Sequence, residues 1–158
     1  MMIRKLSILF VLSLLLLQCT SVKTKKLVSE NAEIQLISDR FSFTEGPAAD
    51  SFGNVYFTDQ PNDKIYFWDW KTNKIEEFRT GSGRANGTFF DENDNLITCS
   101  DEKGQILKIN KSGIAEILTT DFNGKRLNGP NDLWLDGNGG IYFTDPLYVR
   151  DYWQDFHQ

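Results

Sequence analysis

The chain has 158 residues with a formal net charge of −5, 25% of them charged and 13% aromatic, the composition of an ordinary globular protein with one domain's worth of chain. The acidic balance offers no clustered basic face for nucleic acid, and two cysteines are too few for a disulfide framework. The single histidine, His157, leaves no Ser-His-Asp or Cys-His arrangement to build; a G-x-S-x-G elbow, a Walker loop and clustered soft zinc ligands are absent as well.

Arg4 and Lys5 precede an apolar run from Leu6 to Leu17 that only Ser7 and Ser13 interrupt. That is the pattern of a secretory signal, too short for an ordinary membrane span. The run closes in Leu16-Leu17-Gln18-Cys19, which resembles a bacterial lipobox apart from Gln18, where the pattern wants a small residue. Residues 1–19 are therefore expected to be a signal peptide of lipoprotein type, with Cys19 lipidated and the protein exported to the periplasm or cell surface on a lipid anchor. A plain signal sequence or an uncleaved anchor is the alternative. Residues 20–31 are polar, contain the basic stretch Lys23 to Lys26, and lack periodicity, as a tether would.

The folded region is expected over 32–158, with Ile34 to Ser38 as a first strand. Short β-like runs then follow at regular spacing: Val55 to Thr58, Ile65 to Trp68 and Ile75 to Phe78; Leu96 to Cys99, Ile106 to Ile109 and Ala115 to Leu118; and Ile141 to Thr144. Turns such as Ser51-Phe52-Gly53-Asn54, Asn93-Asp94-Asn95 and Gly137-Asn138-Gly139-Gly140 separate them. No window carries a convincing helical period. The layout repeats three times, and Glu45, Asn86 and Asn131 open the repeats at intervals of 41 and 45 residues. A period of about 40–50 residues built of short strands is a propeller signature. The reading is all-β, with units of three or four antiparallel strands and cores between blades drawn from Phe67, Trp68, Phe89, Phe90 and Trp134. Closed propellers have roughly four to eight blades, so about three units are expected to be the N-terminal part of a longer protein.

Repetition brings equivalent positions around one axis, so Glu45, Asn86 and Asn131 should converge. One carboxylate and two amides are hard oxygen donors suited to Ca²⁺, and less specifically to Mg²⁺ or Mn²⁺. Turn chemistry alone accounts for any one of them, Asn131 in Asn128-Gly129-Pro130-Asn131-Asp132 above all; recurrence at one phase of the repeat favours a site. Asp50, Asp91 and Asp136, five residues further on in each repeat, begin turns and read as structural.

Thr44-Glu45-Gly46-Pro47, Arg84-Ala85-Asn86-Gly87, Leu127-Asn128-Gly129-Pro130-Asn131-Asp132-Leu133 and Tyr142-Phe143-Thr144-Asp145-Pro146 resemble motifs of the gluconolactonase / senescence marker protein / luciferin-regenerating enzyme-like family, from about Ile34 to Trp153. The resemblance implies a six-bladed β-propeller with a divalent metal, usually Ca²⁺, in its central tunnel. It implies Glu45 and Asn131 as metal ligands, Asn86 beside metal and substrate, and Arg84 as a substrate contact. It also implies a further Asp that ligates the metal and acts as base. No residue of this sequence matches that position; Asp132 and Asp145 are acidic but do not correspond.

Two functions follow. One is a metal-dependent hydrolase of sugar-type lactones, with a small-molecule lactone as partner and the membrane reached by the lipid anchor alone. The other is a non-catalytic surface module in which the same ring binds a sugar or a protein. A chain without a stable fold is the third expectation that missing blades would produce.

Overall fold

The computed structural model describes residues 27–153. The chain divides into two compact units, residues 1–35 and 36–158. Of the first, the described residues 27–35 are exposed and hold a single turn closed by Ala32 N–H donating to the Ser29 carbonyl (3.2 Å). Cys19, the signal sequence and His157 lie outside the described residues. The strand expected over 34–38 does not form. Its backbone finds no ladder among the described residues, and Ile34 and Leu36 stay exposed.

The second unit is all-β apart from a short 3-10 turn at Gln60–Asn62. Strands β1 (Thr44–Ala49), β2 (Val55–Asp59), β3 (Lys64–Asp69) and β4 (Lys74–Thr80) form a four-stranded antiparallel sheet in chain order. Strands β5 (Ala85–Phe90), β6 (Leu96–Ser100), β7 (Gln105–Ile109) and β8 (Ala115–Thr119) form a second of the same order. After a small hairpin of β9 (Asp121–Phe122) and β10 (Lys125–Arg126), β11 (Leu133–Leu135) pairs with β12 (Ile141–Phe143). These are two complete propeller blades and the inner two strands of a third, the repeat expected from the sequence.

Each blade turn is built by its aspartate. Asp50 Oδ1 accepts the N–H groups of Phe52 and Asn54 (both 2.9 Å), and its Oδ2 accepts the Asn54 amide (2.9 Å). Asp91 repeats the arrangement on Asn93 and Asn95. Asp136 Oδ1 takes Asn138 N–H and Gly140 N–H (2.7 and 2.9 Å). The structural reading of these three is correct. Burial pushes the Asp91 carboxyl up, but amide donors from Asn95 and Asn93 and the Lys108 ammonium outweigh it and hold the group below its ordinary range.

The cores lie between blades. Ile65 of the first blade packs with Ala85, Leu96, Leu107 and Ile109 of the second, flanked by Ala48, Tyr56, Phe78 and Phe90. Tyr56 stacks on Phe67 (5.5 Å between centroids) and meets Phe78 and Phe90 edge-on (5.0 Å each). The other face of the second blade, Ile97, Cys99 and Ile106, packs on Leu133, Leu135, Ile141 and Phe143. Full burial of an Ile or Leu side chain is worth roughly 1.5–3 kcal/mol, so these two interfaces carry the fold. Two of the expected core residues stay partly exposed, Phe89 at 37% and Trp134 at 55%. Successive residues of a strand face opposite sides. Phe90 faces the first blade, while Phe89, paired with Ile97, faces the third and borders a groove there with Leu118 and Leu135; Leu133 and Leu135 turn Trp134 to the far face, where it meets Tyr142 (5.5 Å). Trp68 also leaves the interface, lining the opposite face of the first blade with Val55, Phe57 and Ile75.

Candidate functional site

The inner strands are irregular where the expected site residues sit. The β1–β2 register shifts between Glu45 and Ala48, and the β5–β6 register shifts between Ala85 and Thr88. Gly46 adopts a φ of +50° and Pro47 has no N–H to offer, so β1 cannot run a regular ladder there. Such bulges redirect side chains and are frequent beside functional sites. In the third unit Asn131 and Asp132 precede β11, held by Asn131 N–H to the Thr144 carbonyl (3.0 Å) and Thr144 N–H to the Asp132 carbonyl (2.9 Å).

The backbones at these three places converge. Thr58 Oγ1 lies 3.2 Å from both the Glu45 and the Asn86 carbonyl oxygens, and Gly87 N–H donates to the Asn131 carbonyl at 2.7 Å. A Cβ on Gly46 would collide with the Asn86 carbonyl, and one on Gly87 would collide with Asp132. Glycine is needed here for close approach of neighbouring inner strands. Asn86 is buried, 5% exposed, and Glu45 and Asn131 are half-buried. None of the three side chains makes a hydrogen bond among the described residues. The Asn86 amide is not sealed from solvent, so it stays accessible at the junction although the residue as a whole is buried. Glu45 also borders a groove of about 370 Å³ with Phe41, Phe57 and Trp68. Among the described residues no three His, Cys, Asp or Glu side chains gather as a metal site; the candidate set has only one member of those types.

Arg84, two residues before Asn86, has a φ of +53°. Its N–H donates to Asp63 Oδ1 (2.7 Å) and its guanidinium to the Pro61 carbonyl (3.2 Å), while Cζ stands 4.4 Å above the Tyr152 ring. Tyr152 donates its hydroxyl to Asp101 Oδ2 (2.6 Å), which also accepts the Gln60 amide (3.0 Å) and lies 3.4 Å from Arg150 Nε. Burial, then the bond to Asp101 and its charge, push the Tyr152 hydroxyl above its ordinary value. The sequence reading did not single out Asp101, Gln60 or Tyr152.

Asp132 and Asp145 are both engaged by backbone N–H groups. Asp132 Oδ1 accepts Leu133 N–H (2.9 Å). Asp145 accepts Asn128 N–H and Gly129 N–H (2.9 and 3.0 Å) together with the Asn128 amide.

A family model described as the SMP-30/Gluconolactonase/LRE-like region matches residues 43–154. The chain belongs to this family. A gluconolactonase of Zymomonas mobilis subsp. mobilis is 28% identical over 145 residues, 81% of this chain and 40% of that protein. A solved gluconolactonase of Xanthomonas campestris superposes with a TM-score of 0.67 at 28% identity, over 70% of this chain and 37% of its own. The chain thus spans about two fifths of the length of these relatives. A virginiamycin B lyase of Staphylococcus aureus, 20% identical with a TM-score of 0.53, covers 65% of this chain and 34% of its own and shares the fold alone. One propeller scaffold therefore carries different chemistries, and the activity has to be argued from the site.

Proposed function

We propose that this chain supplies the metal- and substrate-binding part of a lactone hydrolase that depends on a hard divalent cation, Ca²⁺ before Mg²⁺ or Mn²⁺. The observation that carries the reading is the junction of the three inner strands. Glu45, Asn86 and Asn131 stand there at bulged or irregular positions, their backbones in contact and their side chains without hydrogen-bond partners among the described residues. Membership of a gluconolactonase-containing family gives the junction its chemistry.

The carboxylate of Glu45 supplies the formal charge that holds a cation, and the amide oxygens of Asn131 and Asn86 supply neutral donors of matching hardness. When bound, such an ion polarises a lactone carbonyl as a Lewis acid. Arg84 offers the rest of its guanidinium fork to the oxygens of a sugar-type substrate. Asp132 accepts the N–H of the next residue and Asp145 clamps the N–H groups of Asn128 and Gly129, so neither is assigned as the base.

The test is calorimetric titration with Ca²⁺ of the wild-type protein and Glu45→Gln, alongside pH-stat turnover of glucono-δ-lactone. Saturable Ca²⁺ binding lost in Glu45→Gln, with turnover that chelation abolishes, is the expected result. Ca²⁺ binding without turnover leaves the non-catalytic binding module, and turnover indifferent to chelation rules the metal out. Export on a lipid anchor at Cys19 belongs to the same proposal, supported by Arg4, Lys5 and the apolar run before the cysteine. Globomycin-insensitive processing with Cys19 unlabelled by a fatty-acid analogue would remove it.

A further inference from the structure

Asp101 departs from the repeat. The second strands of the blades start at Val55, Leu96 and Ile141, which makes Asp59, Ser100 and Asp145 equivalent. Asp59 accepts the N–H groups of Ser42 and Phe43 (3.2 and 3.1 Å), and Asp145 those of Asn128 and Gly129. Each of these carboxylates clamps the backbone that leads into its own inner strand. In the second blade a serine takes that place, its hydroxyl donating to the Gly83 carbonyl (3.0 Å). The neighbouring Asp63 takes over the clamp, accepting Arg84 N–H and the Ser82 hydroxyl.

The carboxylate at Asp101, one residue further on, is thereby relieved of the local duty. It is 3% exposed, and its hydrogen bonds among the described residues come from side chains. Its Oδ2 instead gathers Gln60, from the first blade, and Tyr152 and Arg150, from the segment after the third. A buried carboxylate is costly unless several donors hold it, and Asp101 has drawn its donors from segments far apart in the chain. Their common product is a fixed Tyr152 ring under the Arg84 guanidinium. The Trp153 ring, packed against Gly129, ties the same segment down.

We propose that Asp101 is a positioning residue for substrate recognition. Through Tyr152 it braces Arg84, so that the part of the guanidinium not bonded to Pro61 meets the oxygens of a polyhydroxylated acyl ligand, as lactone or as its open-chain carboxylate. The assignment of that ligand rests on the lactone-hydrolase reading; the brace itself rests on the contacts alone. An unbraced arginine loses rotamer freedom on every binding event, whereas a stacked one has already lost it. Recognition, rather than the chemical step, is therefore what Asp101 serves.

The experiment uses Asp101→Asn, Tyr152→Leu, Arg84→Gln and the double variant Asp101→Asn/Arg84→Gln. Expected for Asp101→Asn and Tyr152→Leu are a rise of about tenfold in KM for glucono-δ-lactone and in Kd for gluconate, with kcat changed less than about threefold. The double variant should be no worse than Arg84→Gln, because a brace has nothing to hold once its arginine is gone. Independently of activity, phenylglyoxal should modify Arg84 several-fold faster in Tyr152→Leu than in the wild-type protein, read by peptide mass. Unchanged KM and Kd, additive losses in the double variant, or equal labelling of Arg84 would each overturn the inference while leaving the lactone reading intact. Tyr152 is half-buried, so its variant serves where Asp101→Asn fails to fold. A wild-type protein that neither binds gluconate nor turns over lactone defeats the lactone reading, and the labelling of Arg84 then decides the brace by itself.

Discussion

Two sets of polar residues recur in this chain five positions apart, and their surroundings are opposite. Asp50, Asp91 and Asp136 sit at the outer end of each inner strand with carboxylates that accept the N–H groups of their own turns. Glu45, Asn86 and Asn131 sit at the inner end, where the ladder is bulged or irregular and no side-chain partner appears among the described residues. Repetition by itself therefore does not separate scaffold from site. What separates them is satisfaction: a polar group whose bonds are all made locally stabilises a turn, and one held without bonds remains available to a ligand.

The largest effect expected from that contrast is at Glu45. Glu45→Gln should lower Ca²⁺ affinity and lactone turnover by about a hundredfold, since it removes the one formal charge of the set, while the melting temperature moves by no more than a degree or two. Unaltered Ca²⁺ affinity by calorimetry would break the comparison at its strongest point. Asn131→Ala should behave alike on a smaller scale, about tenfold in affinity, with little change in the thermal melt. Asp91→Ala should do the reverse: a loss of about 1–3 kcal/mol in denaturant unfolding from the unmade turn bonds, with Ca²⁺ affinity untouched. Asp136→Ala should cost less than Asp91→Ala, because the Asn138 amide reaches the Asp136 backbone carbonyl rather than its carboxylate.

The smallest effect is acid sensitivity. The Asp91 carboxyl lies below its ordinary value of 3.8 in the folded chain, so below about that pH the unfolded chain binds a proton that the folded chain resists. The contribution is fully present above the ordinary value and is lost as pH falls through the lowered one. Asp91→Asn should therefore flatten the decline of stability below pH ~4; an unchanged slope in acid unfolding curves would show that the turn carboxylate carries no such linkage.

Much of this architecture was legible in the sequence. Val55 to Thr58, Ile65 to Trp68, Leu96 to Cys99 and Ile106 to Ile109 all fall inside observed strands, because a short apolar run and its turn are local properties. The phase that joins Glu45, Asn86 and Asn131 was legible for the same reason. Less so were the innermost strands themselves: Thr44–Ala49 contains a glycine and a proline in its middle, and a bulged strand writes no clean alternation.

The expected strand over 34–38 failed because a strand is defined by the ladder beside it, which no run of residues can announce alone. Trp134 stays exposed because the pleat assigns adjacent side chains to opposite faces and only the Leu133 side is packed among the described residues, whereas Phe89 takes a face between blades but borders a groove there. Asp101 was hidden for a further reason. Its partners Gln60 and Tyr152 stand 41 and 51 residues away, so its departure from the clamp geometry of Asp59 and Asp145 has meaning only once three blades are in register. The sequence by itself determined the repeat, the turns and the polar phase, since these depend on neighbours in the chain. Which polar groups are satisfied, and which are held without a side-chain partner, was decided by contacts between blades, because satisfaction depends on atoms that only the tertiary structure brings within hydrogen-bond reach.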